Sequence, residues 1–190
     1  MNNIDLVEWQ KHSKNGLVYP WWTWNFLDVM DTWDFKDKAF LEFGAGLGTA
    51  FLRDKCKWVD SIEADIMWAN RAEENCDNNK RLNGNIYSKQ IADCVEGGWE
   101  QYIGLIPKET KYDVISIDGI YRTECIEWAI NHFKGRDGIL VLDNLDQDFV
   151  WISPKAMELL EPYEGEIFIQ PTHTNHEGKP WNTRYYKIPA

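Results

Sequence analysis

Carboxylates recur at or near the ends of short apolar runs along this 190-residue chain. Glu42 stands two residues before the first glycine of EFGAGLG, and Glu63 closes WVDSIE. Asp93 closes KQIAD, Asp118 closes YDVISID, and Asp143 with Asn144 closes GILVLDN. If those runs are neighbouring strands, their ends share one crevice, where such oxygens can meet a cation, a pair of ribose hydroxyls or a hard divalent metal. Gly44, Gly46 and Gly48 alternate in the turn after Glu42, with Ala45 between the first two. Glycine lets a chain reverse sharply and lets a ligand press on bare backbone amides, here where a helix begins near Leu47. Turns that bind dinucleotides mostly have an apolar residue at the place of Glu42, so a carboxylate there suits a positively charged ligand.

S-adenosylmethionine, with its ammonium and sulfonium, is a ligand of that kind. Glu63 lies about twenty positions beyond the glycine turn, where a carboxylate accepts from both hydroxyls of a ribose. Hydrogen bonds to an ionised acceptor are worth roughly 1.5–3 kcal/mol each. Asp65 suits the N-terminus of the next helix better than Glu63 does. Asp93 fits two roles, reading an adenine amino group or capping the helix that follows. Asp118 with Asp143 and Asn144 makes a three-ligand set for magnesium or another divalent cation, which would lower the pKa of an acceptor hydroxyl. Without a metal, Asp118 would contact the methionine part of the cofactor, and Asp143–Asn144 would cap a helix or shape a turn.

The elements that must position these groups follow from the alternation of patterns. Strand-like runs occupy 39–43, 58–63, 86–91, 112–117 and 139–143, with helical stretches at about 66–80, 95–106 and 121–134. That order specifies a parallel sheet covered by helices on both faces. Two further strands, 166–170 and 183–188, follow a helix at 154–160 and are joined by a loop, which predicts a terminal antiparallel hairpin. Pro20 starts a helix running to about Asp31. The whole reads as an α/β, Rossmann-like, doubly wound, mostly parallel seven-stranded sheet in a single domain, 1–190. Its residues 1–36 form a helical substrate-side segment and 37–190 the core.

Composition narrows the partners. A net charge of −11 disfavours nucleic acid, since the cationic residues are scattered among acids. The chain has no run long enough to span a membrane and no basic leader with an apolar stretch behind it. Cys56, Cys76, Cys94 and Cys125 are far apart, as befits reduced thiols in a cytoplasmic monomer or homodimer. Of eleven tryptophans, three crowd into YPWWTWNFL at 19–27. Tyr19, Trp21, Trp22 and Trp24 divide between core packing and the walls of an acceptor site, where a ring face attracts a sulfonium. His173 and His176, in the loop at 171–182, are candidate general bases near neutral pH. Arg122 suits an acceptor carboxylate or phosphate, or else a salt bridge with Glu124 or Asp143.

The segments EFGAG, SIEAD with Trp68 close behind, IADC, YDVISIDG and GILVLDN come in an order and at intervals that resemble class I S-adenosylmethionine-dependent methyltransferases. The resemblance spans about 38–188 and includes the terminal hairpin. It implies cofactor binding by Glu42, Gly44, Ala45, Gly46, Gly48, Glu63, Ala64, Asp93 and Asp118. It also implies a small-molecule acceptor, O-methylation as the leading reaction, acceptor contacts from Trp21, Trp22, Tyr121 and Arg122, and catalytic roles for Asp118, Asp143 and His173. The pairing of Asp118 with Asp143–Asn144 is similar to metal-dependent O-methyltransferases of the catechol and caffeoyl-CoA type. The chain departs from that group in having Ile120, Tyr121 and Arg122 where it has a lysine, and in its shorter N-terminal lid. Three rivals share parts of the pattern: an aminopropyltransferase, a nicotinamide-dependent oxidoreductase and a non-catalytic module that binds the same cofactor.

Overall fold

The computed structural model describes residues 17–92, 95–144, 153–174 and 180–190. Apolar runs become parallel strands β1 (Ala39–Phe43), β2 (Trp58–Glu63), β3 (Gly84–Ser88), β4 (Val114–Ile117) and β5 (Gly138–Asp143). An antiparallel hairpin, β6 (Glu164–Thr174) and β7 (Pro180–Ile188), completes the sheet beside β5. The strand order is β3-β2-β1-β4-β5-β7-β6, so the winding reverses between β1 and β4. Phe43 of β1 pairs with both Ile62 and Ile117, which brings Glu42, Glu63 and Asp118 to one edge of the sheet.

Among the described residues, six helices flank the sheet: α1 (Trp24–Asp31), α2 (Thr49–Lys55), α3 (Ile66–Asn78), α4 (Gly98–Ile103), α5 (Arg122–His132) and α6 (Pro154–Leu160). Asp65 caps α3, accepting from the amides of Met67 at 2.7 Å and Trp68 at 3.3 Å. α6 opens on Pro154, whose missing N–H would be unpaired in a first turn anyway.

Alternating strand residues feed two apolar layers. Leu41, Phe43, Ile62 and Ile117 pack with Tyr102, Ile126 and Phe133 on one face. Phe40, Val59, Val114 and Val141 pack with Trp22, Phe26, Met30 and Phe51 on the other. Among the described residues, no helix is long and apolar enough to cross a membrane.

Four boundaries differ from those expected, each for a local reason. The helix expected from Pro20 begins at Trp24, because the chain bends at Trp21 and Trp22 and Thr23 is extended, its amide donating to Thr183 Oγ1 at 2.8 Å. The third strand ends at Ser88, opposite Glu63, where its neighbour β2 stops. The chain then passes under the end of β2 through amide bonds from Lys89 to Glu63 O and from Ile91 to Ala64 O. Asp93 therefore lies beyond the strand, outside the described residues. α4 is short because Gly97 takes a left-handed φ of 70° just before it and Gly104 follows it. The hairpin strands are longer than expected, so the intervening loop contracts and His173 stands within β6, while His176 is outside the described residues.

Trp22, expected at an acceptor wall, is instead a core residue, 2% exposed and edge-on to Phe26 at 5.5 Å. Removing a large buried ring costs both transfer energy and a cavity. Trp22→Ala is expected to lower unfolding stability in urea by about 3–5 kcal/mol. A loss of under about 1 kcal/mol, the scale of a surface change, would show that the ring is not part of the core.

Candidate active site

The site is built around the turn between β1 and α2. Gly44 adopts φ +100°, and a Cβ there would come within 2.9 Å of the backbone of Asp118 and Gly119. Glycine is thus required where the first and fourth strand ends touch. Gly46 differs: a Cβ on it would meet nothing within 4 Å, so its backbone borders open space. Gly48 lies against Pro20, and Asn75 Nδ2 donates to Leu47 O at 2.8 Å. The N-terminal segment and α3 therefore hold the turn from two sides.

Glu42 braces this turn from within. Its Oε2 accepts from Thr49 Oγ1 at 2.8 Å and from Ser61 Oγ at 2.7 Å, and Thr49 Oγ1 in turn accepts from the Gly46 amide at 3.1 Å. Glu63 Oε1 accepts from the Asp65 amide at 2.8 Å, and its side chain stays partly exposed. Ala45 and Ala64 are buried beside these acids.

Burial pushes the Glu42 carboxyl up to about 7, with the hydrogen bonds from Ser61 and Thr49 opposing and the charges of Glu63 and Asp118 adding. Glu63 is also pushed up to about 7, first by burial and further by the charges of Asp65 and Asp118. Three carboxylates thus repel one another around a single notch. Burial is the first cause of each shift, and the neighbouring acids add to those of Glu42 and Glu63.

Asp118 and Asp143 are organised differently. Arg122, 7% exposed, sits at the start of α5 after Tyr121, which takes a left-handed φ of 53°. Its Nη2 donates to Asp118 Oδ1 at 2.9 Å and to Asp118 O at 3.1 Å, its Nε donates to Gly119 O at 3.0 Å, and its Nη1 donates to Asp143 O. Asp143 Oδ1 accepts from Thr183 Oγ1 at 3.0 Å and Oδ2 accepts from Asn144 Nδ2. Burial raises the Asp118 carboxyl while Arg122 lowers it, and burial with the Asp118 charge raises that of Asp143.

Two expectations are corrected by this arrangement. Arg122 spends its donors on the ends of β4 and β5, so it clamps two strand ends and is not an anion receptor for an acceptor. In the set Asp118, Asp143 and Asn144, expected to hold magnesium or another dication, Asp118 Oδ1 accepts from Arg122 and both Asp143 oxygens accept from side chains, so these oxygens are engaged within the chain. Among the described residues, no group of three His, Cys, Asp or Glu side chains could hold a metal.

The remaining candidates fall on the rim. Trp21 is half-buried and edge-on to Trp68 of α3 at 6.4 Å, and Trp68 carries the Arg71 guanidinium 5.1 Å from its centroid. Tyr121, expected beside an acceptor, turns its hydroxyl toward Ala92 O at 3.4 Å, on the β3 side of the notch, and packs on Gly98. Thr49, Ser61 and Thr183 are participants that the sequence analysis missed. Their signal was a hydroxyl in an otherwise apolar strand or at the first turn of a helix.

No family model and no curated protein matches this sequence. Solved structures do match its fold. The precorrin-6y C5,15-methyltransferase of Geobacter metallireducens superposes with a TM-score of 0.60 at 17% identity, covering 85% of each chain. The N-methyltransferase NodS of Bradyrhizobium japonicum, in complex with S-adenosyl-l-homocysteine, gives 0.57 at 15% identity over 82% of this chain and 80% of that one. TYW2 of M. jannaschii, in complex with AdoMet, gives 0.54 at 12% identity over 93% and 84%. The chain has the fold of class I S-adenosylmethionine-dependent methyltransferases.

Glu42 makes the electrostatics testable without any ligand. Its folded pKa of about 7 lies above its ordinary value of 4.5, so between these pH values the folded chain holds a proton that the unfolded chain releases. Its contribution to stability therefore falls as pH rises through that window and is level above it. Glu42→Gln removes the titration, so the variant should gain on the wild type by about 2.5 kcal/mol between pH 5 and pH 8 in urea unfolding. A difference between the two chains that does not change with pH would contradict a buried, charge-starved Glu42.

Proposed function

We propose that the chain is an S-adenosylmethionine-dependent methyltransferase acting on a small-molecule acceptor, with O-methylation as the leading reaction. One observation carries this: Glu42, Glu63 and Asp118 lie at the carboxyl ends of the adjacent strands β1, β2 and β4, beside the glycine turn and close enough to raise one another's carboxyls, in a fold used by methyltransferases. Glu63 is the acceptor for the two ribose hydroxyls. Asp118, with Oδ1 fixed by Arg122, keeps Oδ2 for the ligand ammonium. Glu42 holds the glycine turn in place through Thr49 and adds negative potential, while Asp93 is assigned to the adenine edge.

The cofactor supplies a methyl group on a sulfonium, already a good leaving group. The chain's task is then alignment, which contributes roughly 7–11 kcal/mol when reacting atoms are held in line. Trp21 and Trp68 form one wall of the notch, and an aromatic face near a sulfonium adds attraction without a counter-ion. His173, carried by β6 at the same end of the sheet as Asp143, is assigned as the base that takes the proton of an acceptor hydroxyl. Asp143 supports the site through its backbone contact with Arg122. A monomer or homodimer in the cytoplasm is the setting assigned.

Titration calorimetry with S-adenosylhomocysteine tests the cofactor assignment. Micromolar binding is expected, weakened tenfold or more by Glu63→Ala, since even one charge-assisted bond at about 1.5 kcal/mol has that effect. Absence of heat in the wild type, or binding indifferent to Glu63→Ala, would defeat it. A response to NADH instead would move the chain to the oxidoreductase alternative.

A further inference from the structure

A line of buried hydrogen bonds joins the N-terminal segment to the acid notch. The Thr23 amide donates to Thr183 Oγ1 at 2.8 Å, and Thr183 Oγ1 donates to Asp143 Oδ1 at 3.0 Å. The Asp143 carbonyl accepts from Arg122 Nη1, and Arg122 Nη2 reaches Asp118 Oδ1 at 2.9 Å. Thr183 is opposite Asp143 in the β5–β7 pairing, so the strand register itself sets this contact. Thr23, Thr183 and Asp143 are 1%, 0% and 4% exposed, respectively, which shields the line from water.

The polarity of the line is fixed by chemistry. An amide can only donate, so Thr183 receives the Thr23 bond on a lone pair and has its single proton left for Asp143. The hydroxyl is therefore ordered from both sides. Pro20, three residues before Thr23, packs on Gly48 of the cofactor turn, so the same short segment touches the notch at a second point. A separate tether, from the Trp24 amide to Gln170 Oε1 at 2.8 Å, holds the start of α1 independently of Thr183.

We propose that Thr183 is a positioning residue: it locks the 20–23 segment to the end of β5 and, through Asp143 and Arg122, fixes the carboxylate of Asp118 toward the ligand ammonium. This rests on the cofactor assignment above. A methyl group in place of the hydroxyl removes both bonds at once, while serine keeps them. Docking of the segment and readiness of Asp118 then rise and fall together, which couples the acceptor side of the crevice to the cofactor side.

The test uses the full chain with S-adenosylhomocysteine as probe. Thr183→Val is expected to weaken binding by roughly tenfold, whereas Thr183→Ser stays within about twofold of wild type. Because the effect travels through Asp118, adding Thr183→Val to an Asp118→Asn chain should change affinity by no more than about twofold. An equal loss in both backgrounds, or full affinity in Thr183→Val, overturns the proposal. Amide hydrogen exchange supplies a readout that needs no ligand: Thr183→Val should speed exchange at Thr23 but not at Trp24, and unchanged protection at Thr23 overturns the proposal too. Wild-type silence toward the probe would instead strike the cofactor assignment, and is recognised before any variant is compared.

Discussion

Negative charge held out of water is the constraint around which this molecule is arranged. Glu42, Glu63, Asp118 and Asp143 all have carboxyl groups raised by burial, and several raise one another. Desolvating a carboxylate is costly unless donors or cations meet it. The fold answers unevenly. Asp118 and Asp143 receive Arg122, directly and through the Asp143 carbonyl, and Asp143 adds two side-chain donors. Glu42 accepts from two neutral hydroxyls, and Glu63 accepts from backbone amides, that of Asp65 at 2.8 Å. The deficit is therefore concentrated on the β1–β2 side, next to the open flank of Gly46.

The apolar layers make this deficit sustainable. Phe40, Val59 and Val114 on one face, and Leu41, Ile62 and Ile115 on the other, anchor the central strands and so fix the backbone from which the acids project. Trp22, Phe26 and Met30 fasten the N-terminal helix to the same sheet, and that helix carries the Pro20–Thr23 segment to the rim. Packing far from the notch thus decides where its carboxylates point.

Much of this was legible in the chain before any coordinates. The glycine turn, the acids at strand ends and the βα alternation depend on local patterns of apolar and turn residues, and they specify the winding and the terminal hairpin. The roles of Arg122 and Trp22 were not legible, because each depends on what lies across the sheet. Arg122 next to Asp118 reads equally well as an anion receptor or as a clamp, and only the arrival of the Asp143 carbonyl decides between them. Trp22 differs from Trp21 by one position, and which ring turns inward is set by the extended geometry that Thr183 imposes on Thr23. The end of β3 was misplaced because the length of a strand is limited by its partner, and β2 stops at Glu63. Hydroxyls such as Ser61 and Thr49 give little signal alone, since their importance comes from facing Glu42.

Charge also bears on the direction of the proposed reaction. Methyl transfer turns a sulfonium into a neutral thioether, so the bound nucleoside loses one positive charge at the moment the product forms. A notch with unneutralised carboxylates on one side binds the cationic form with more favourable electrostatics than the neutral one. Glu42 and Glu63 are both pushed up to about 7, first by burial, whereas Asp118 has the Arg122 guanidinium 2.9 Å from its carboxylate. On the proposed function, the acids of β1 and β2 are the ones that meet the charge of the ligand, while Arg122 ties the end of β4 to the end of β5.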